Sequence, residues 1–124
     1  MILVDTSIWV NHLRTGDSVL ARLLAHGLVL GHPWVTGELA LGNLSGRERV
    51  LGLLAGLPRA EVASAAETLG FIDAQQLYGL GIGYVDAQLL AATRLTAHTR
   101  LWTADRRLGA VARHLDMLAE PGGP

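Results

Sequence analysis

Short apolar runs alternate with longer amphipathic segments along the chain, and this alternation constrains the fold more than any other feature. The runs at 2–4, 28–30 and 100–103 have the length and composition of buried strands. The segments between them carry apolar residues at helical spacing and end at glycine or proline. We predict helices at 17–26, 33–41, 47–57, 64–77 and 84–95 and another after Asp105, with a brief further strand at 60–63. The pattern predicts an α/β domain, a short and mainly parallel sheet flanked by helices.

The length of 124 residues fits one domain, which we place at 1–119 with a flexible C-terminal tail at 120–124. No apolar stretch approaches the roughly 20 residues that a membrane helix needs, and the first residues lack a signal peptide's basic region. We therefore expect a cytoplasmic protein without a membrane partner. The absence of cysteine excludes thiolate catalysis and zinc–thiolate sites.

The charge of the chain limits how it can contact nucleic acid. A net charge of −1 is not that of a protein that binds nucleic acid over its whole surface, so any RNA contact must be local. All 10 basic residues are arginines, whose planar fork suits bidentate contact with phosphate. Genome composition explains the same bias, and we favour that explanation.

Four acids fall where an α/β sheet would bring them together. Asp5 and Asp105 each follow a predicted strand, while Glu38 and Asp86 lie in early turns of predicted helices. Because parallel strands end at one edge of a sheet, the four carboxylates can converge there. Each acid also has an ordinary interpretation: Asp5 and Asp105 as helix caps, Asp86 as a first-turn acid. Glu38, in apolar surroundings, would be a costly lone carboxylate if it were buried.

Converging carboxylates repel one another, so such a cluster usually requires a cation. Mg²⁺ takes oxygen ligands and commonly binds through one or two carboxylates together with substrate phosphate oxygens. Hydrolysis of a phosphodiester is the natural reaction of this ligand set. Thr6 and Ser7 are either capping hydroxyls or groups that orient Asp5.

Four strings of the sequence resemble, in family order, the motifs of PIN-domain nucleases of the VapC toxin family. They are ILVDTSIW at 2–9, GEL at 37–39, GIGYVDAQLL at 81–90 and LWTADRRL at 101–108. Four ordered motifs over essentially the whole chain are far more specific than one tripeptide.

The resemblance implies a PIN-like three-layer sandwich and a Mg²⁺-dependent or Mn²⁺-dependent endoribonuclease, the toxin of a toxin–antitoxin pair. It also implies a homodimer that is inhibited by a cognate VapB-type antitoxin. Asp5 and Asp86 would be the metal ligands, with Glu38 and Asp105 completing the acidic pocket and Thr103 supporting it. Arg100, Arg106 and Arg107 are candidates for contact with RNA phosphate.

Other enzyme classes fit the sequence less well. A haloacid dehalogenase type phosphatase needs a second Asp where Ser7 stands, and a receiver domain needs a lysine. The glycines at 79, 81 and 83 do not form a dinucleotide fingerprint, and the histidines show no zinc-hydrolase pairing. The alternative from another class is a catalytically weak PIN-fold module that binds RNA or an antitoxin.

A dimer surface is the least defined expectation. Apolar residues on two predicted helices form either such a surface or part of the core: Val35, Leu39, Leu44 and Leu53.

Overall fold

The computed structural model describes residues 1–122, which form a three-stranded sheet and seven helices. The strands are β1 (Ile2–Val4), β2 (Val29–Leu30) and β3 (Arg100–Trp102). The helices are α1 (Thr6–Thr15), α2 (Ser18–Ala25), α3 (Pro33–Ala40), α4 (Arg47–Ala55), α5 (Ala65–Gln75), α6 (Tyr84–Leu95) and α7 (Arg106–His114). The predicted elements are confirmed within a few residues at their ends, apart from the strand at 60–63.

The sheet is parallel throughout, with the order β2-β1-β3. Ile2 of the central strand pairs with Val29 on one side and Arg100 on the other, and Val4 pairs with Trp102. The carboxyl ends of all three strands therefore meet at one edge. This sheet with its flanking helices is the α/β sandwich that the resemblance implies.

The core is centred on the sheet and on α6. Leu3, Leu101 and Leu108 are completely buried. In α6, seven consecutive residues from 87 to 93 are buried because this helix packs against both α5 and β3. Helical spacing in the sequence predicts one inward face with Val85, Leu89 and Ala92, and the burial of both sides of the helix corrects that prediction.

The strand predicted at 60–63 is wrong. Pairing with the sheet stops after one bridge between Gly31 and Arg59 and a hydrogen bond from the Ala60 amide to the Gly31 carbonyl, at 3.0 Å. The next amide, of Glu61, donates to the Thr96 hydroxyl at 2.9 Å, so a side chain of the α6 C-cap replaces the sheet as its partner. The chain then enters α5 through a capping box formed by Ser64 and Glu67.

Two of the four residues considered for a dimer surface belong to the core. Val35 and Leu39 are buried, Leu44 is half-buried and Leu53 is exposed. The core interpretation therefore holds for the α3 pair, and no dimer surface is defined by these side chains together.

The C-terminal segment is attached to β3. The Ala119 amide donates to the Leu101 carbonyl at 2.8 Å, and Glu120 pairs with Arg113. Of the predicted flexible tail at 120–124, the last two positions lie outside the described residues. No described helix is long and apolar enough to cross a membrane.

Candidate active site

Asp5 lies at the carboxyl end of β1 and its side chain is almost completely buried, at 6 % exposure. It occupies the N-cap position of α1, but its carboxylate makes no capping hydrogen bond. Instead, Oδ2 accepts hydrogen bonds from the hydroxyls of Ser7 and Thr103, each at 2.7 Å. The two hydroxyls therefore fix the orientation of the Asp5 side chain.

The same two hydroxyls connect Asp5 to the loop that follows β3. The Ser7 and Thr103 oxygens are 3.3 Å apart. The amide of Ala104 donates to Ser7 Oγ and the amide of Asp105 donates to Thr103 Oγ1, both at 3.0 Å. One hydrogen-bonded network thus joins the ends of β1 and β3, and Ser7 and Thr103 act as positioning groups.

Asp105 is a cap as well as a member of this cluster. Its Oδ1 accepts the Leu108 amide at 2.9 Å at the N-terminus of α7. The interpretation of Asp105 as a helix cap is therefore confirmed. The side chain is exposed, and its other oxygen has no hydrogen-bond partner within residues 1–122.

Asp86 lies in the first turn of α6, where the Gly83 amide donates to its Oδ2 at 3.0 Å. Burial raises the pKa of Asp86, the Gly83 hydrogen bond opposes that rise, and the charges of Asp5, Asp105 and Glu38 raise the pKa further. The other three predicted acids therefore lie close enough for their charges to act on Asp86.

Glu38 joins the site from the second turn of α3. It is exposed, so the cost of burial considered for it does not apply. Its Oε1 accepts a hydrogen bond from the Thr6 hydroxyl at 2.6 Å. Thr6, at the start of α1, thus orients Glu38, whereas Ser7 orients Asp5.

The three candidate arginines occupy different places. Arg100 lies at the amino end of β3, away from the acids, where it bonds the carbonyls of Asp116 and Leu118 and pairs with the Asp116 carboxylate. Arg106 and Arg107 are exposed in the first turn of α7, next to Asp105. This placement favours Arg106 and Arg107 over Arg100 as predicted phosphate contacts.

Arg107 also covers the glycine-rich loop before α6. A Cβ on Gly81 would lie 2.9 Å from Arg107 Nη1, and Gly81 has a positive φ of 80°. The backbone conformation therefore favours glycine at this position, and Arg107 lies directly over it.

The residues of the site fit a hard divalent cation. Every candidate ligand is an oxygen, and the ion pairs found within residues 1–122 involve none of the four acids. In the same part of the chain, no three His, Asp or Glu side chains are grouped closely enough to hold an ion by themselves. A Mg²⁺ ion would be held here by one or two carboxylates together with waters.

Two aromatic side chains beside the acids were missed by sequence analysis. Trp34 lies one helical turn before Glu38, and Tyr84 lies two residues before Asp86. The spacing of Trp34 from Glu38 was visible in the sequence, because residues four apart share a helix face.

The chain was also compared with known proteins. No family model matches it. It is 46 % identical over 110 residues to Ribonuclease VapC32 of Mycobacterium tuberculosis, in strain CDC 1551 / Oshkosh and in strain ATCC 25618 / H37Rv, and the match covers 89 % of each chain. The aligned length covers most of the described fold. The chain belongs to the VapC family of ribonucleases.

Proposed function

We propose that this protein is a Mg²⁺-dependent endoribonuclease, the toxin of a type II toxin–antitoxin pair, which inhibits translation by hydrolysing RNA phosphodiester bonds in the cytoplasm. Membership of the VapC family supports the reaction class. The observation that carries the proposal is that Asp5, Glu38 and Asp105 lie close enough for their charges to act on Asp86, with no ion pair to any of the four acids in the described chain.

The four carboxylates have distinct tasks in this proposal. Asp5 and Asp86 hold the ion, while Glu38 and Asp105 complete the acidic pocket that faces the substrate. A bound Mg²⁺, or Mn²⁺ as a substitute, supplies charge neutralisation and Lewis-acid activation of the phosphodiester toward water. Without that ion the four acids repel the polyanionic substrate.

The surrounding groups keep the carboxylates in position before the substrate arrives. The Ser7 and Thr103 hydroxyls orient the Asp5 carboxylate, and the Gly83 amide orients the Asp86 carboxylate. Arg106 and Arg107 bind RNA phosphates next to Asp105. Such preorganised groups lower the barrier because they need not reorganise during the reaction.

Cleavage of total cellular RNA by the purified protein tests this function. We expect discrete products with Mg²⁺ or Mn²⁺ and none with excess chelator. Asp86→Asn deletes metal-binding charge at nearly constant volume, and we expect it to lose most activity. Asp73→Asn is the matched control, because Asp73 is an exposed carboxylate on α5 outside the site and its amide variant should keep wild-type activity.

Cleavage that persists in chelator, or an Asp86→Asn variant with undiminished activity, would refute the proposed site. Folded protein that binds metal yet cleaves no RNA would instead favour a regulatory module that binds RNA or an antitoxin.

The partners form a second part of the proposal. We expect a homodimer whose activity is blocked by a cognate VapB-type antitoxin, as the family membership suggests. Light scattering at micromolar concentration measures the dimer, and a monomeric mass would contradict it. Co-expression with the cognate antitoxin should suppress cleavage.

A further inference from the structure

Two aromatic rings are exposed at the border of the acidic site. The ring centroids of Trp34 and Tyr84 are 5.9 Å apart and their planes meet at 73°, an edge-to-face pair. Trp34 remains 40 % exposed and Tyr84 remains 42 % exposed. The pair joins α3 to α6, the two helices that carry Glu38 and Asp86.

A shallow groove lies beside Trp34 and reaches Glu38 of the acidic site. Its volume is about 590 Å³, which lies within the usual range for small-molecule sites. Glu38 is its one charged lining residue, and the remaining surface is apolar. The lining residues are Pro33, Trp34, Gly37, Glu38, Leu41 and Val85. The apolar groove and the acidic site are therefore adjacent and share Glu38.

Buried polar side chains contact both members of the pair, Gln88 at the Tyr84 ring and His32 at the Trp34 backbone. Gln88 is only 2 % exposed, and its Nε2 donates to the Tyr84 hydroxyl at 3.0 Å. His32 is equally buried, and its Nδ1 accepts the backbone amide of Trp34 at 3.1 Å. Rings that are already ordered lose little conformational entropy when a ligand stacks on them.

We propose that Trp34 and Tyr84 form a stacking platform for an unpaired base of the RNA substrate, next to the phosphate that is cleaved. This inference rests on the proposed ribonuclease function and specifies its substrate as a single-stranded segment. Gln88 is a positioning residue for the platform, because it touches Tyr84 and lies below the surface.

A base fits this groove because of where the groove lies. Proteins select single-stranded RNA largely by stacking splayed bases on aromatic side chains. A nucleotide has an apolar base face and an anionic phosphate on one rigid frame. The apolar groove adjoins the candidate metal-binding acids through Glu38, so the groove can take the base while the phosphate reaches the acids.

The test uses a short single-stranded RNA that contains a cleavage site mapped with the wild-type protein. Base stacking contributes about 1–3 kcal/mol per base, so Trp34→Ala should raise KM by roughly 5-fold to 150-fold. We expect kcat to change much less, because stacking also binds the ground state. Trp34→Phe keeps an aromatic face and should retain most of the affinity. Leu69→Ala, at an exposed apolar position on α5, is the control and should leave KM unchanged.

Substrates with an abasic site provide a second measurement that needs no folded variant. Removing the base on either side of the cleaved phosphate in turn should raise the wild-type KM by a similar factor at one of the two positions. The same abasic RNA should not raise the KM of Trp34→Ala any further, because the side chain on which the base stacks is already absent.

If removing the base raised KM by the same factor in the wild type and in Trp34→Ala, the stacking platform would be refuted. An unchanged KM in Trp34→Ala would also overturn it, and loss of the dimer in that variant would then assign the groove to a second copy of the chain. Failure of the wild-type protein to cleave any RNA would refute the ribonuclease function itself, and the platform with it.

Discussion

Replacing Thr103 by valine removes a hydroxyl at nearly constant side-chain shape. The Thr103 hydroxyl donates to Asp5 Oδ2 at 2.7 Å and accepts the Asp105 amide at 3.0 Å. Both contacts disappear in Thr103→Val, while Ser7 still donates to the same oxygen of Asp5. Thr103→Ser keeps a hydroxyl and serves as the matched control.

The size of the effect follows from these two contacts. A hydrogen bond to a charged group contributes about 1.5–3 kcal/mol, and one between neutral groups contributes about 0.5–1.5 kcal/mol. Asp5 is buried, so water replaces little of the first bond, whereas the second lies at the exposed residue Asp105 and is largely replaced. We therefore expect Thr103→Val to lose about 2 kcal/mol of unfolding free energy at pH 7 in chelator.

The loss should also appear in function. Groups that orient a metal ligand typically affect metal affinity or activity by about 10-fold to 100-fold, and we expect a loss of this size for Thr103→Val. Urea unfolding measures the stability, and cleavage of RNA over a range of Mg²⁺ concentrations measures the activity. If Thr103→Val matched Thr103→Ser in both assays, the hydroxyl network would not position Asp5.

Two further predictions concern stability and pH. In chelator, Asp86→Asn should unfold at higher urea than wild type at pH 7: the pKa of Asp86 is raised from 3.8, so its ionised form destabilises the fold. The advantage should vanish as the pH falls below 3.8, and saturating Mg²⁺ should reverse it, because the ion stabilises the wild type more. Burial, and then the charge of Arg59, lower the pKa of His32 from 6.5 to about 4. Since the unfolded chain takes up this proton first, wild-type stability should fall by about 3 kcal/mol between pH 6.5 and 4, and His32→Asn should lack this part of the loss.

Each of these two predictions has a result that contradicts it. An Asp86→Asn variant less stable than wild type in chelator at pH 7 would show that the ionised Asp86 carboxylate does not destabilise the fold. For His32, equal slopes of stability against pH in wild type and His32→Asn would show that this histidine is protonated in the folded protein. Urea midpoints at several pH values decide both cases.

The arrangement of the acids was largely predictable because it follows from strand direction. Asp5 and Asp105 come after strands, and parallel strands deliver their carboxyl ends to one edge regardless of side-chain detail. The placement of Asp86 at the start of α6 follows in the same way from the glycine-rich break before that helix. Chain direction and helix boundaries were sufficient to predict where these acidic residues lie.

Features that depend on packing between elements were not predictable. Whether Thr6 or Ser7 orients Asp5 depends on how α1 crosses α3, which no local pattern encodes. The burial of both sides of α6 reflects its place between α5 and β3. The strand at 60–63 fails because the hydroxyl of Thr96, distant in sequence, takes the next amide.

The hydrogen bond between Asp5 and Thr103 joins residues that are 98 positions apart, and the strand that carries Asp5 is the middle one of the sheet. During translation the first strand therefore has no complete sheet to enter until β3 has been made. At about 5–20 residues per second, this interval lasts roughly 5–20 s. The site that joins Asp5 to Thr103 and Asp105 therefore cannot assemble on the ribosome until synthesis has passed β3.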